Sequence, residues 1–127
     1  IMKTYEEKQQ ELEDRTIVFS VNIINTCGKY ADDTKLKSLI NQIIRSATSV
    51  GANYAEANNS SSRADFKNKI YIAKKEVAKT RYWLKVLSKL LVNHDLSPLE
   101  QGAKKLNLIL QKIISTIKSK ESPNNAK

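Results

Sequence analysis

Residues 42–57, QIIRSATSVGANYAEA, are the most informative stretch for the fold because they place two different stripes on one helix. At 100° per residue, the apolar positions of this segment lie on one face, which is typical of a helix packed on a core. A second face carries hydrogen-bonding side chains at i, i+3 or i+4 spacing, here called the polar ladder: Gln42, Arg45, Ser49, Asn53 and Glu56. Ala52 and Ala55 flank the ladder where an exposed helix usually carries Lys or Glu. We therefore predict a helix packed on two sides, with the ladder facing another helix or another subunit.

The rest of the chain has the composition of one all-α domain. Its 127 residues contain 3 Gly and 2 Pro, so long segments rich in Lys, Leu, Ile, Ala, Glu and Ser run without interruption. Apolar periodicity predicts helices at about 9–29, 34–57, 62–92 and 97–118. Since short loops force neighbouring helices to run in opposite directions, we predict an antiparallel up-down-up-down four-helix bundle. The domain is expected at 1–120, with a disordered tail at 121–127.

Hydroxyl side chains mark three predicted helix starts. Thr34 is expected to cap the second helix, and Ser62, with Asp65 three residues later, forms a near capping box for the third. Ser97 is expected to cap the fourth helix, with Pro98 at its first helical position.

The charge of +9 is unevenly distributed. Residues 1–62 hold 7 Lys or Arg against 8 Asp or Glu, whereas residues 63–127 hold 15 against 5. A basic second half indicates an anionic partner such as nucleic acid or an anionic surface. The N-terminus lacks the apolar core of a signal peptide, and no run of about 18 apolar residues exists to span a membrane. A soluble, cytoplasmic protein is the expectation.

Signals for catalysis or metal binding are weak. Cys27, the single cysteine, is interpreted as a small core or interface residue, and His94 lies in a predicted loop without nearby Cys or paired carboxylates. Gly-rich phosphate loops, nucleophile elbows and HExxH patterns are absent from the sequence. The best enzymatic candidate uses Glu56 as a base and Arg45 as an electrostatic clamp, but the ladder equally suits a satisfied buried network. We therefore predict no enzymatic activity, no cofactor and no metal.

Apolar residues exceed what one bundle core requires. The excess lies on the first and third helices, and the residues expected at a homo-oligomer interface are Val18, Val21, Ile72, Trp83, Val86 and Leu90. The alternative is a wide core-facing arc that buries them within one subunit.

The remaining face of the third helix is basic. We call it the basic rail, and its candidate nucleic-acid-binding residues are Lys67, Tyr71, Lys74, Lys75, Arg81, Tyr82, Lys85 and Lys89. Lys and Arg neutralise phosphates, while Tyr stacks on unpaired bases, so the pattern suits binding to an RNA or DNA backbone. The alternative is an ordinary solvated Lys-rich face.

Two spaced motifs resemble the bacterial four-helix-bundle proteins encoded in intervening sequences of 23S rRNA genes. The first motif occupies residues 42–47 and 49–56. A Ser-rich loop follows it, and the second motif occupies residues 65–66, 72–76 and 80–84. The resemblance covers about residues 10–115 and implies an up-and-down bundle assembling into a homopentameric ring. It also implies a fold similar to the accessory variability proteins of diversity-generating retroelements, which bind nucleic acid and a reverse transcriptase. Ala57 and Lys79 depart from the family pattern, and Lys79 makes the third helix more basic.

The sequence thus predicts a non-enzymatic homo-oligomer whose basic face contacts RNA or DNA. The main alternative is a structural or adaptor oligomer with a protein partner, in which the charge only maintains solubility. Binding to a membrane surface is disfavoured because the apolar helix faces are committed to packing.

Overall fold

The computed structural model describes residues 2–121 and has four α-helices with no strand among them. The helices are α1 Tyr5–Cys27, α2 Lys37–Asn58, α3 Arg63–Leu90 and α4 Ser97–Glu121, and the 3-10 turn Gly28–Tyr30 follows α1. Each helix packs on the next one in the chain, and α4 closes the bundle against α1. No helix within residues 2–121 is both long and apolar enough to cross a membrane.

Cross-helix contacts show that neighbouring helices are antiparallel. Between α2 and α3, Ser46 contacts Thr80 while Glu56, further along α2, contacts Lys69, which lies earlier on α3. The pairing of Lys67 with Glu121 joins the start of α3 to the end of α4. The predicted up-down-up-down four-helix bundle is confirmed.

Helix starts follow the strongest local hydrogen-bond acceptor. Ser62 accepts the Asp65 N–H at 3.1 Å, as predicted for the third helix. Thr34 does not cap α2, since the Asp33 carboxylate accepts the N–H groups of Lys35 and Leu36 instead. A carboxylate is the stronger acceptor, and residues 34–36 form a turn before the helix.

Two other helix ends differ from the prediction by a few residues. The Asp95 carboxylate accepts the N–H of Ser97, so Ser97 is the first residue of α4 rather than its cap. Thr4 caps α1, which starts four residues before the predicted residue 9, because its hydroxyl accepts the Glu7 N–H. At the other end of the chain, Glu121 still lies in α4, and residues 122–127 of the expected tail lie outside the described residues.

The core is a continuous apolar cluster with one hydroxyl pair inside it. Ile23, Ile43, Ile70 and Leu84 are fully buried members. Thr80 and Ser46 are also buried: the Thr80 hydroxyl donates to Ser46 Oγ at 2.8 Å between α3 and α2, and the Ser46 hydroxyl donates in turn to the Ile43 carbonyl of its own helix. The pair is satisfied and sets the register of the two helices, since sliding α3 by one turn would leave both hydroxyls without that partner.

Gly51 allows α2 to approach α1 closely. This close approach predicts that alanine at residue 51 destabilises the protein, although alanine has the higher helix propensity. A Cβ at residue 51 would lie 2.6 Å from Thr16 Oγ1 and 2.9 Å from Thr16 Cβ. The Thr16 hydroxyl is held by a bond to the Glu13 carbonyl, so the side chain cannot simply turn away. Ala is favoured over Gly in helices by about 1 kcal/mol, but overpacking costs about 1–3 kcal/mol. Gly51→Ala is therefore expected to lower the free energy of unfolding by about 1 kcal/mol, measured by urea denaturation.

Gly28 supplies the matched control. A Cβ at Gly28 meets nothing within 4 Å, so Gly28→Ala is expected to leave stability unchanged or raise it by up to about 1 kcal/mol. Adding Thr16→Ala to Gly51→Ala should recover part of the loss. Stabilisation by Gly51→Ala of the size seen for Gly28→Ala would contradict the steric argument.

Candidate nucleic-acid interface

The basic rail forms one side of α3, but its eight residues are not equally available. Lys75, Lys85, Lys89 and Tyr82 are exposed, with Tyr82 retaining 60% of its accessible surface. Lys74 and Arg81 are half-buried. The available cations extend from residue 74 to residue 89, about 22 Å at about 1.5 Å per residue.

Two rail residues at its N-terminal end have partners within the subunit. Lys67 donates to the Glu121 carboxylate at 2.8 Å, and this hydrogen bond and the carboxylate charge raise the pKa of Lys67. A phosphate would therefore have to compete with the Glu121 carboxylate for this amine. Tyr71 is half-buried and packs against the core cluster, which limits its use as a stacking platform.

Helix α4 adds a cation that the sequence pattern did not identify. Lys104 shares a shallow cleft of about 150 Å³ with Arg81 and Lys85, and Glu100 and Gln101 complete its lining. The basic surface therefore spans two helices and carries one carboxylate at its edge. A charge count of the fourth helix could have suggested Lys104, but not its position beside α3.

The polar ladder lies on the outer surface of α2, on the side next to α3. Three of its bonds are local to α2: Arg45 donates to the Gln42 side chain, Ser49 to the Arg45 carbonyl and Asn53 to the Ser49 carbonyl. Glu56, the last rung, pairs with Lys69 of α3 at 2.6 Å and raises the pKa of that amine. Among residues 2–121 the pair of Glu56 with Lys69 is thus the ladder's single hydrogen bond or ion pair to another helix, and its contact with another subunit stays a prediction.

The expected interface residues lie in two separate places. Val18 and Val21 are exposed on α1, and their neighbours Ile17 and Ile24 are exposed as well. We call these four residues the α1 patch.

The second group lies on α3, on the side that borders the ladder of α2. Leu90 is exposed, while Ile72, Trp83 and Val86 are half-buried; we call these four residues the α3 patch. Trp83 packs partly on the core and meets the ring of Tyr82 edge to face at 5.1 Å. A wide core-facing arc therefore accounts for only part of the apolar excess.

Two buried polar atoms without partners lie on this side of α3. Within residues 2–121, Trp83 Nε1 and Glu76 Oε2 have no hydrogen-bond partner, although Glu76 Oε1 accepts from Lys79 at 2.9 Å. Buried polar atoms are seldom left unpaired, because each costs about 1–3 kcal/mol. Both atoms are buried within the subunit, and their residues lie on the side of α3 that carries the α3 patch.

Residues considered for metal or acid–base chemistry are dispersed or already partnered. Residues 2–121 contain no cluster of three or more His, Cys, Asp or Glu side chains able to hold a metal. His94 is exposed and meets the Tyr30 ring edge to face at 5.5 Å, so it covers the end of the bundle. Of the enzymatic candidates, Glu56 is engaged by Lys69 and Arg45 by Gln42.

Cys27 is buried in the core, and burial raises the pKa of its thiol to about 11. Because the thiolate is the nucleophile, iodoacetamide at pH 8 is expected to label the folded protein at least about 100-fold more slowly than the urea-unfolded protein. The pKa of Cys27 is higher in the folded protein than in the unfolded protein. Its contribution to the free energy of unfolding is therefore fully present below about pH 9 and is lost as the pH rises toward 11. Equal labelling rates in the two states would contradict the buried position.

The architecture defines the class of protein: a small all-α bundle whose polar and charged features lie on its helix surfaces. A family model described as 23S rRNA-intervening sequence protein matches residues 8–115, and the chain belongs to this family. A solved structure described as a protein of unknown function from the S23 ribosomal protein family of Bacteroides thetaiotaomicron VPI-5482 is similar, with a TM-score of 0.75 and 36% identity. The match covers 80% of this chain and 96% of that one. No curated protein matches the chain significantly.

Proposed function

We propose that this protein is a non-enzymatic cytoplasmic homo-oligomer that binds the backbone of RNA or DNA through the basic rail of α3. The observation that carries the proposal is the row of cations from residue 74 to residue 89, joined by Lys104 of α4. Lys74, Lys75, Lys85 and Lys89 form no ion pair with residues 2–121, so their charges are available to phosphates. The family's description refers to 23S rRNA, which makes ribosomal RNA the first ligand to test.

Binding through phosphates has a measurable signature in its salt dependence. Five phosphate contacts give a slope of log K against log salt concentration of about −3.5 for single strands and about −4.5 for duplexes. Between 50 and 200 mM salt, we expect affinity for 23S rRNA fragments to fall about 100- to 500-fold, measured by fluorescence anisotropy. A flat salt response, or no binding at 50 mM salt, would contradict the proposal.

We propose an oligomer because the subunit carries two apolar patches on its surface, and these differ in position and composition. The α1 patch is aliphatic, whereas the α3 patch contains Trp83 and borders the polar ladder. When two different surfaces of a subunit meet, the contact is head-to-tail, and it closes into a ring if the rotation permits. A ring of five is the number that the family resemblance implies.

The alternative function is an adaptor whose partner is another protein. The same apolar patches would serve it, and the basic rail would then only maintain solubility. Nuclease treatment separates the two: recovery of a protein partner after nuclease digestion, with no retention of RNA at low salt, would favour the adaptor.

A further inference from the structure

One end of the bundle contains a groove that the proposed function does not use. Phe19 of α1 packs closely against Gly102 of α4, where an added Cβ would lie 3.2 Å from the Phe19 ring. Beyond this contact α1 and α4 separate, and a groove of about 640 Å³ opens between residues 3–15 and residues 109–120. At about 1.5 Å per residue, the groove is about 16 Å long.

The floor of the groove is apolar and deep. Leu12 and Ile113 line its walls, and Tyr54 of α2 and Phe66 of α3 reach it from the opposite helices. Tyr54 is only 4% exposed, and burial, the largest effect on its hydroxyl, raises the pKa of that group. A volume of several hundred Å³ with a mainly apolar lining is typical of a small-molecule site.

The rim of the groove is cationic. Five Lys or Arg side chains line it against one carboxylate, Glu11, and that carboxylate is already paired with Lys3. Lys8 and Lys112 form no ion pair with residues 2–121. Taking Phe19 and Gly102 as level, the antiparallel helices place Lys8 and Lys112 at nearly the same height on opposite walls. An anionic head group between these walls would therefore have an amine on each side and an apolar floor below.

We propose that this groove binds a single-chain anionic amphiphile of the fatty-acid class, with its carboxylate between Lys8 and Lys112. Its alkyl chain lies on Leu12, Tyr54 and Phe66. Nucleic acid is a poor occupant because it has no alkyl chain for this floor.

The probe for this proposal is sodium laurate, used below its micelle concentration and titrated by calorimetry. We expect saturable binding at one site per chain. Because each buried methylene contributes about 0.8 kcal/mol, shortening laurate to decanoate should weaken binding about 15-fold. Dodecyltrimethylammonium, with the same chain and a cationic head, should bind at least tenfold more weakly than laurate.

Charge reversal provides the sharpest control. Lys8→Glu with Lys112→Glu is expected to reverse the preference, so that dodecyltrimethylammonium binds better than laurate. The matched variant Lys29→Glu with Lys35→Glu carries the same charge change at exposed positions outside the groove and should keep wild-type laurate binding. Amide shifts in a ¹⁵N spectrum of the wild-type protein give a reading independent of any variant, and they should concentrate at residues 3–15 and 109–120. Absence of saturable binding, equal affinity for both head groups, or shifts spread over the whole surface would overturn the proposal.

Discussion

Replacing Lys75, Lys85 and Lys89 by glutamate is expected to weaken RNA binding more than about 100-fold at 150 mM salt. Each lost phosphate contact removes about 0.7 units of log K at this salt concentration, and the new carboxylates add repulsion. All three side chains are exposed, so the free energy of unfolding should stay within about 0.5 kcal/mol of wild type. Fluorescence anisotropy measures the affinity and urea denaturation the stability. The salt slope should also fall by about 2 to 3 units.

A variant with the same net charge tests whether position matters. Lys29, Lys35 and Lys37 are exposed near the loop between α1 and α2, outside the basic rail. Replacing these three by glutamate changes the net charge equally and should weaken binding by less than about tenfold. An equal loss from both triple variants would show that affinity follows net charge alone, and it would remove the basic rail as the site.

Val21→Glu is expected to convert the proposed oligomer to a monomer of 14.4 kDa, measured by sedimentation velocity. Val21 is 48% exposed in the single subunit, so the substitution leaves the bundle core intact. In an assembled ring, however, the new carboxylate would be buried in an apolar contact, which costs several kcal/mol per interface. Leu90→Glu on the α3 patch should have the same effect for the same reason.

Mixing the two variants tests the head-to-tail geometry. Each variant keeps one intact patch, so a Val21→Glu subunit and a Leu90→Glu subunit should form one dimer that cannot extend further. Leu108, which is 59% exposed on α4 and belongs to neither patch, provides the control, and Leu108→Glu should leave the mass unchanged. A monomeric wild-type protein, or a mixture that stays monomeric, would contradict the proposed assembly.

Helix content and the faces of the helices could be predicted from local sequence. The Ser62 and Asp65 pair marked the start of α3 correctly, because a capping bond joins residues three apart. At α2 and α4 the prediction chose a hydroxyl, while the neighbouring carboxylates of Asp33 and Asp95 accept the bonds. Several adjacent acceptors compete at such sites, and the path of the entering chain decides among them.

The candidate interface could be predicted only as a pattern on one helix. Periodicity identified the rail residues, but Lys67 is engaged by Glu121, which lies 54 residues further along the chain. Lys104 joins the rail for the same kind of reason, since it comes from the antiparallel α4. Neighbouring residues in the sequence predict neither the pairing of Lys67 with Glu121 nor the position of Lys104 beside the rail.

The sequence by itself determined that this protein is helical, where its apolar and polar faces lie, and that its positive charge belongs to the second half. Helicity and the positions of the helix faces depend on side chains within one turn of each other, which helical geometry brings together independently of tertiary packing. Only the tertiary structure decided which surfaces adjoin. Among residues 2–121 it left Trp83 Nε1 and Glu76 Oε2 without hydrogen-bond partners, and it opened a cationic groove beyond the contact of Phe19 with Gly102. Such features depend on how closely two helices approach, and that distance is set by side chains many turns apart in the chain.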